Sequence, residues 1–181
     1  MSAPAIYNSV NEQHQFDVLI IGTGSAGLMN ALQLSKHLSV ALIAKDKILE
    51  GSSFYAQGGI SAVLDAHDNF DSHVADTLAT AAGLAEKTAV KFMVESAPAA
   101  IASLERSGVR FTKDSDHYHL TTEGGHTHRR VAHVADKTGQ SIQINLLDNV
   151  KQCANITLFE NYIAIDLLIQ NKQCCGAYIL N

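Results

Sequence analysis

An apolar run, a glycine-rich turn and a helical pattern follow one another near the start of the chain. Val18–Ile21 is continuously apolar, which is typical of a strand buried on both faces in a parallel sheet. Apolar residues then recur at helical spacing from Ser25 to Leu38, and Val40–Ala44 is a second apolar run. Strand, helix and strand in this order predict a βαβ unit over residues 17–44.

The patterns farther along the chain predict an α/β fold with a parallel sheet, helices and an additional β-meander. Helices are predicted at 71–83, 86–107 and 138–150, and strands at 109–120, 156–160, 162–169 and 173–180. Asp71 and Ser72 are suited to cap the first of these helices. Pro98 is expected to divide or kink the second, and Gly108 to stop it. Tight turns are expected at 113–116 and 171–172.

Helical spacing also indicates which residues face the core. The inward residues of the second and third of these helices are expected to be Val90, Met93, Val94, Ala97, Ile101 and Leu104, then Ile142, Leu146 and Leu147. These stripes are explained by packing and need no ligand.

Gly22, Gly24 and Gly27 form a G-x-G-x-x-G pattern between the first strand and the first helix. In a dinucleotide site, the first glycine permits a tight turn and the second lets the backbone approach a pyrophosphate. The third lets the helix pack closely on the strand. Free N–H groups and the positive dipole end of the helix then face the phosphates. The pattern favours dinucleotide binding over a glycine-rich turn without a ligand.

The residue after the second strand departs from the usual dinucleotide pattern. An acid that holds the ribose is common there, whereas this chain has Lys45 followed by Asp46. The departure argues against NAD. A lysine is suited to a 2′-phosphate, as in NADP-binding proteins, or to the adenosine half of a flavin nucleotide; a solvated lysine is the alternative.

Residues 51–60 are small, polar and rich in glycine, with two aromatic members. The segment has no helical or strand period, which predicts a loop. The pair Gly58-Gly59 would let the backbone approach a flat ring closely, and the Gln57 amide could bond to heteroatoms of that ring. We interpret the segment as a loop shaped around a ligand, with an ordinary surface loop as the alternative.

A second polar segment, residues 121–130, contains an acid, two histidines and two arginines. Arg129 and Arg130 offer planar donor groups that match carboxylates and phosphates, so we expect a loop that binds an anionic substrate or cofactor. A metal at His126-x-His128 is less favoured, because no further ligand stands at a recognisable spacing. An exposed polar loop is the remaining alternative.

His73 and Asp76 are three residues apart on a predicted helix and therefore share a face. Such a pair can act in catalysis. A surface pair or a local hydrogen bond is the favoured interpretation, so neither residue is assigned to a site.

Composition excludes several classes of protein. A net charge of −5 over 181 residues argues against a nucleic-acid surface, and no apolar run reaches the roughly 18 residues of a membrane span. Residues 1–15 are polar, unlike a signal peptide, and are expected to form a disordered leader before a domain at 16–181. Cys153, Cys174 and Cys175 fit neither a disulfide framework nor zinc spacing. We therefore expect reduced thiols in a cytoplasmic protein.

Five blocks of sequence together resemble the flavoprotein family of succinate dehydrogenase and fumarate reductase, and within it the members that oxidise L-aspartate. The blocks are GTGSAGL at 22–28, GSSFYAQGGI at 51–60, DSHVADTL at 71–78, YHLTTEGGHTHRR at 118–130 and ADKTGQSI at 135–142. Their order and spacing cover nearly the whole chain from residue 16 onward. The resemblance implies a Rossmann-like FAD-binding domain that is incomplete relative to the family.

The resemblance implies FAD as the cofactor, with contacts on three stretches of the chain. The glycine turn would line the pyrophosphate, Lys45 would lie near the adenosine, and residues 52–59 would wrap the flavin ring. The implied cofactor-binding residues are Gly22, Thr23, Gly24, Ser25, Ala26, Gly27, Lys45, Ser52, Ser53, Phe54, Tyr55, Ala56, Gln57, Gly58 and Gly59. Respiratory members attach the flavin covalently through a histidine at the position of Ser52. Serine cannot form that bond, so non-covalent FAD is expected.

Glu123 is the implied substrate-binding residue. Relatives that use only dicarboxylates have an apolar residue before this Gly-Gly pair, and the resemblance puts Glu123 near the α-amino group of the substrate. A carboxylate there attracts an ammonium and repels a substrate without one. The implied reaction is FAD-dependent oxidation of L-aspartate to iminoaspartate, with oxygen or fumarate as acceptor. It would serve quinolinate and NAD biosynthesis, with quinolinate synthase as a partner by pathway.

Family members are longer than this chain. They carry a capping domain with the histidines and arginines that clamp the substrate, and a helical C-terminal domain; we find neither in these 181 residues. No catalytic residue and no metal ligand is therefore assigned, and the chain alone is expected to be inactive or nearly so. The alternatives are a soluble fumarate reductase-like dicarboxylate flavoprotein and a non-catalytic FAD-binding remnant.

Overall fold

The computed structural model describes residues 12–181 of the chain, so most of the predicted leader at 1–15 lies outside the described residues. In the described part, the helices are α1 (Ser25–Leu34), α2 (Ser52–Tyr55), α3 (Phe70–Thr80), α4 (Lys87–Arg106) and α5 (Thr138–Lys151). The strands are β1 (Val18–Ile21), β2 (Val40–Ala44), β3 (Ile60–Ser61), β4 (Lys113–Asp114), β5 (His117–Tyr118), β6 (Leu120–Thr121), β7 (Val131–Ala132), β8 (Ile156–Glu160), β9 (Ile163–Gln170) and β10 (Gln173–Leu180).

A parallel sheet of β1, β2 and β8 lies at the centre of the fold, with β2 in the middle. Val40 pairs with Val18 on one side and with Ile156 on the other. Every residue of β2 is buried, as its uninterrupted apolar sequence requires. The carboxyl ends of the three strands meet at one edge, which is where ligands bind in open α/β sheets. The predicted βαβ unit and α/β class are confirmed.

α1 packs beside β2 and α5, with Leu28 fully buried. The helix ends at Leu34, so the prediction that it continues to Leu38 was wrong. Asn155 Nδ2 donates to the Ser35 carbonyl at 2.9 Å, and the Leu38 N–H donates to the Leu34 carbonyl. These bonds turn the chain toward β2. Asn155, which bonds the end of the helix, lies 120 residues farther along the chain than Ser35, so local periodicity gives no indication of this contact.

Two local features differ from the predictions, a helical turn within an expected loop and the residue that caps α3. The segment at 51–60, expected to be a loop, contains the single helical turn α2. At α3, the Asn69 side chain accepts a hydrogen bond from the Ser72 N–H at 2.8 Å, so Asn69 is the cap and Asp71 lies inside the helix. Asn, Asp and Ser are caps of similar strength, which is why sequence alone does not separate adjacent candidates.

α4 runs without a break through Pro98, so of the two expected effects, division or a kink, the division was wrong. The missing N–H costs one helical hydrogen bond, and buried Val94 and Ile101 on either side hold the flanking turns against the core. Gly108 stops the helix as predicted, with a φ of +101°. Met93, expected in the core, is 56% exposed because it lies at the border of the apolar stripe.

The remaining strands form small antiparallel sheets. β4 and β5 pair around the predicted turn at 113–116, and β3, β7 and β6 form a second sheet. The polar segment 121–130 therefore has one end in β6 and the other beside β7. Of the last three predicted strands, β8 joins the parallel sheet, while β9 and β10 form a hairpin. Asn171 and Lys172 turn this hairpin with positive φ values, as a two-residue turn requires.

One face of the hairpin is apolar and exposed. Ile163, Ile165, Leu167 and Ile169 alternate along β9 and are each about half exposed, at 47–54%. Alternate residues of a strand point to the same face, so these side chains form one continuous stripe. Large exposed apolar patches favour association.

We expect the isolated chain to self-associate through this stripe as its concentration rises. Leu167→Thr, which keeps a high strand propensity, should shift the association to higher concentration. Leu84→Thr, at a leucine that is 95% exposed elsewhere on the surface, serves as the matched control and should change nothing. Sedimentation velocity over a concentration series measures both, and equal effects of the two variants would contradict the prediction.

Candidate functional site

The turn between β1 and α1 has the geometry that the glycine pattern predicts. Gly22 has a φ of +112°, a conformation that favours glycine. A Cβ at Gly27 would lie 2.1 Å from the Gly22 carbonyl oxygen, so only glycine lets the helix pack this closely on the turn. The predicted tight turn at Gly22 and the predicted close packing of the helix at Gly27 are confirmed. The turn lies at the carboxyl edge of the sheet, and the Gly22 N–H donates to the Ile43 carbonyl of β2 at 2.9 Å.

The beginning of α1 is suited to an anion. Its first N–H groups have no partner within the helix, and its first turn carries no acidic side chain. The Ser25 N–H donates to the Ser53 hydroxyl at 3.3 Å, so α2 reaches this turn. Lys45 is exposed directly after β2, at the same edge of the sheet. The N–H groups at the start of α1 fit the diphosphate of a dinucleotide, which carries negative charge and accepts hydrogen bonds.

A buried glutamine on α5 braces the turn, and the sequence analysis missed it. Gln143 is 1% exposed, accepts a hydrogen bond from the Ser25 hydroxyl at 3.2 Å and donates to the Thr23 carbonyl at 3.1 Å. Its spacing of three and four residues from inward Leu146 and Leu147 could have indicated burial. A polar residue on an apolar stripe was the available signal.

The loop predicted to wrap a ring lies between the turn and α5. The Gly139 N–H donates to the Ala56 carbonyl at 2.9 Å, and a Cβ at Gly139 would lie 2.0 Å from the Ser53 carbonyl oxygen. α2 is thus pressed against the start of α5. A groove of about 460 Å³ runs along this region. It is lined among others by Ser25, Ala26, Ser53, Gly58, Gly59 and Ile142.

Glu123 meets the loop at its glycine pair. Its Oε1 accepts a hydrogen bond from the Gly59 N–H at 3.4 Å, and a Cβ at Gly58 would lie 3.2 Å from the same oxygen. A Cβ at Gly59 would lie 2.3 Å from the Ala132 carbonyl oxygen, so packing against β7 already requires that glycine. The structure brings together the turn, the 52–59 loop and Glu123, which are separated by up to about a hundred residues in sequence.

Arg130 does not bind an external anion. It is fully buried, with Nε and Nη2 donating to both oxygens of Asp68 at 2.9 and 2.8 Å, and Nη1 donating to Asp76 at 2.8 Å. The prediction of an anion-binding arginine was therefore wrong for Arg130, because its charge is paired with two carboxylates inside the protein. Arg129 is exposed, and its Nε donates to the Leu120 carbonyl at 2.8 Å.

His73 is buried, whereas the sequence favoured a surface pair or a local hydrogen bond. It is 4% exposed, its Nδ1 has no hydrogen-bond partner, and its ring lies 5.5 Å from that of His126. Burial, and then the nearby Arg130 charge, lower the pKa of His73. Burial alone would raise the pKa of Asp76, but hydrogen bonds from Thr127 and Arg130 outweigh it and lower that pKa.

Both shifts mean that the folded state binds fewer protons than the unfolded state, so stability should fall as pH falls. The loss from His73 begins below its unfolded pKa of about 6.5 and is complete below its lower folded pKa; the loss from Asp76 begins below about 3.9. His73→Gln should flatten the decline that begins below about pH 6.5. The control His67→Gln changes a histidine whose side chain is 95% exposed. Urea unfolding at stepped pH measures this, and equal slopes for both variants would contradict it.

No group of three or more metal-ligating side chains lies close enough together to hold an ion within residues 12–181. His126 instead bonds Ser61 at 3.0 Å, and His128 bonds Ser72 at 3.2 Å. Among the helices of the described part, none is long and apolar enough to span a membrane.

The parallel sheet, the glycine turn at its carboxyl edge and the loop beside it define a dinucleotide-binding α/β domain. Comparison with known proteins identifies the dinucleotide. Residues 17–181 match the FAD binding domain family, and the chain belongs to that family. The cofactor is therefore FAD.

The chain is 44% identical to L-aspartate oxidase of Pseudomonas aeruginosa over 186 residues, covering 95% of this chain and 35% of the relative. It is 46% identical to L-aspartate oxidase 1 of Ralstonia nicotianae over 175 residues, covering 92% and 33%. E. coli quinol fumarate reductase superposes with a TM-score of 0.86 at 29% identity, over 92% of this chain and 29% of that chain. The chain thus spans about a third of the length of the curated relatives it matches, in their N-terminal part.

Proposed function

We propose that this chain is the N-terminal FAD-binding part of an enzyme that oxidises L-aspartate to iminoaspartate. The observation that carries the proposal is the position of the Glu123 carboxylate, bonded to Gly59 at the loop that adjoins the glycine turn. A carboxylate there can accept a hydrogen bond from a substrate ammonium. The identity to proteins named L-aspartate oxidase supports the same reaction.

The proposal assigns the cofactor contacts in three groups. The turn of Gly22 to Gly27 would hold the pyrophosphate, Lys45 the adenosine side, and Ser52 to Gly59 the flavin. FAD would be held without a covalent bond, since the Ser52 hydroxyl offers no histidyl nitrogen. When bound, FAD would supply the two-electron oxidation of the substrate, with oxygen or fumarate as the final electron acceptor.

The wider role follows from the product. Iminoaspartate would enter quinolinate and NAD biosynthesis, with quinolinate synthase as the partner by pathway. The three cysteines are free thiols, which supports a reducing compartment such as the cytoplasm.

We expect FAD to bind this chain alone with roughly micromolar or weaker affinity, and aspartate to release little or no peroxide. The reason is that the relatives are about three times as long, and the residues expected to clamp the substrate carboxylates lie in that remainder. Fluorescence titration of FAD and a peroxide assay measure both. Sub-micromolar affinity or robust turnover would contradict the expectation.

The substrate is tested in a chimera that joins this chain to the remaining part of the Pseudomonas aeruginosa relative. Glu123→Leu should lower kcat/KM for aspartate roughly 10- to 100-fold, the value of a hydrogen bond to a charged group. Glu95→Leu, at an exposed glutamate on α4, is the matched control. An active chimera whose aspartate kinetics ignore Glu123→Leu would overturn the assignment.

Dicarboxylate reduction is the second candidate, supported by the superposition on E. coli quinol fumarate reductase. Fumarate reduction without aspartate oxidation by the same chimera would favour it.

A non-catalytic FAD-binding module is the third reading of the chain. An inactive chimera that still binds FAD would support that reading.

A further inference from the structure

We infer that Gln143 is a positioning residue for the FAD pyrophosphate. This rests on the proposed placement of the pyrophosphate at the glycine turn. Gln143 lies on α5, about 120 residues from the turn in sequence, and its buried amide touches two of the turn's residues.

The orientation of the amide follows from its partners. The Thr23 carbonyl can only accept, so the amide nitrogen must face it, and Nε2 donates at 3.1 Å. The amide oxygen then faces the Ser25 hydroxyl, which donates to it at 3.2 Å. Both polar ends of the side chain are thereby used by the turn.

These bonds determine what the turn presents to an anion. The Thr23 carbonyl would repel a phosphate if it were free, but Gln143 engages it. The Ser25 hydroxyl commits its proton to Gln143 and keeps only lone pairs for other partners. What remains for the pyrophosphate are the backbone N–H groups that follow Ser25 at the start of α1, since that of Ser25 donates to the Ser53 hydroxyl.

The turn is also held from the opposite side. The Thr23 hydroxyl donates to the Ile48 carbonyl at 3.2 Å, and the Ile48 N–H donates to Glu160 at 2.9 Å. Gln143 is the contact to the turn from α5, and Ile48 the contact from the strand edge. Loss of Gln143 would free the Thr23 carbonyl and the Ser25 hydroxyl while the strand-side contact remains.

The test compares Gln143→Leu and Gln143→Asn with Asn149→Leu. Asn is one methylene shorter and cannot bridge both partners. Asn149 lies on the same helix, and its Nδ2 bonds Ser107 and Asn145 rather than the turn. FAD dissociation constants, unfolding temperatures without FAD and ³¹P spectra of bound FAD are measured for each variant in the chimera.

We expect both Gln143 variants to raise the dissociation constant about tenfold or more, because the freed Thr23 carbonyl would face the phosphates and the turn would lose its contact from α5. They should also move the ³¹P resonances. Asn149→Leu should lower the unfolding temperature but leave affinity within about twofold and the resonances in place. If Gln143→Leu does not fold, Gln143→Asn decides.

The inference is overturned if the Gln143 variants bind FAD as the wild type does. It is equally overturned if Asn149→Leu weakens binding and moves the ³¹P resonances as much as they do. A wild-type chimera that binds no FAD at all would overturn the proposed placement of the cofactor, which is a distinct result.

Discussion

Arg130→Met is expected to lower the free energy of unfolding by about 3–5 kcal/mol, the cost of removing one partner from a buried ion pair. The guanidinium is fully buried between Asp68, whose side chain is 2% exposed, and Asp76, at 10%. Methionine keeps an unbranched stem like that of arginine and lacks the guanidinium group. The variant would leave the Asp68 carboxylate buried and uncompensated, which is the source of the penalty.

Arg129→Met is the matched control. The adjacent arginine is exposed, and its Nε donates a hydrogen bond to the Leu120 carbonyl. Its replacement should cost about 1 kcal/mol or less. Chemical denaturation of both variants tests the contrast, and comparable losses would show that the buried network carries no special energy.

The Arg130 network also positions the polar segment 121–130, which carries Glu123. Asp76 on α3 accepts hydrogen bonds from the Thr127 N–H and hydroxyl, both at 2.8 Å, in addition to that from Arg130. The segment that carries Glu123 is therefore tied to α3. Arg130→Met in the chimera should weaken aspartate selectivity along with stability.

Gly27→Ala is expected to weaken FAD binding roughly 100-fold, which corresponds to strain of about 3 kcal/mol. The new Cβ would lie 2.1 Å from the Gly22 carbonyl oxygen. That oxygen belongs to the backbone, so relief requires α1 to move away from the turn. The N–H groups at the start of α1 would move with the helix.

The direction of this effect is diagnostic. In an exposed helix interior, alanine is more favourable than glycine by up to about 1 kcal/mol. Helix propensity therefore cannot explain a loss of FAD affinity in Gly27→Ala, and the clash can. Gly124→Ala, with no atom within 4 Å of the added Cβ, is the control. FAD fluorescence titration of both variants measures the difference, and unchanged binding in Gly27→Ala would refute the close-packing argument.

Local pattern was sufficient for most elements of the fold. β2 was predicted at the bounds that the structure has, because a continuous apolar run can satisfy both faces only in a central strand. Gly22 and Gly27 were predicted with their roles, since each role follows from the absence of a Cβ. Where prediction was wrong, at the end of α1 and in a division of α4 at Pro98, distant contacts outweighed local preference.

The arginine pair shows where sequence reasoning ends. Arg129 and Arg130 are chemically identical neighbours, and the sequence predicted one role for both. Their environments differ because the Arg129 side chain is exposed, while that of Arg130 bonds Asp68 and Asp76, about 60 residues earlier in the chain. Burial of a charge depends on partners that only folding brings together.

By itself, the sequence determined the glycine turn, the order of strands and helices and the resemblance that indicated FAD, because each is written in neighbouring residues. Only the tertiary structure decided that Gln143 braces the turn, that Glu123 meets Gly58-Gly59, and that His73 and Arg130 are buried. The reason is physical: φ angles and periodicity are local, whereas hydrogen-bond partners and burial come from segments far apart in the chain.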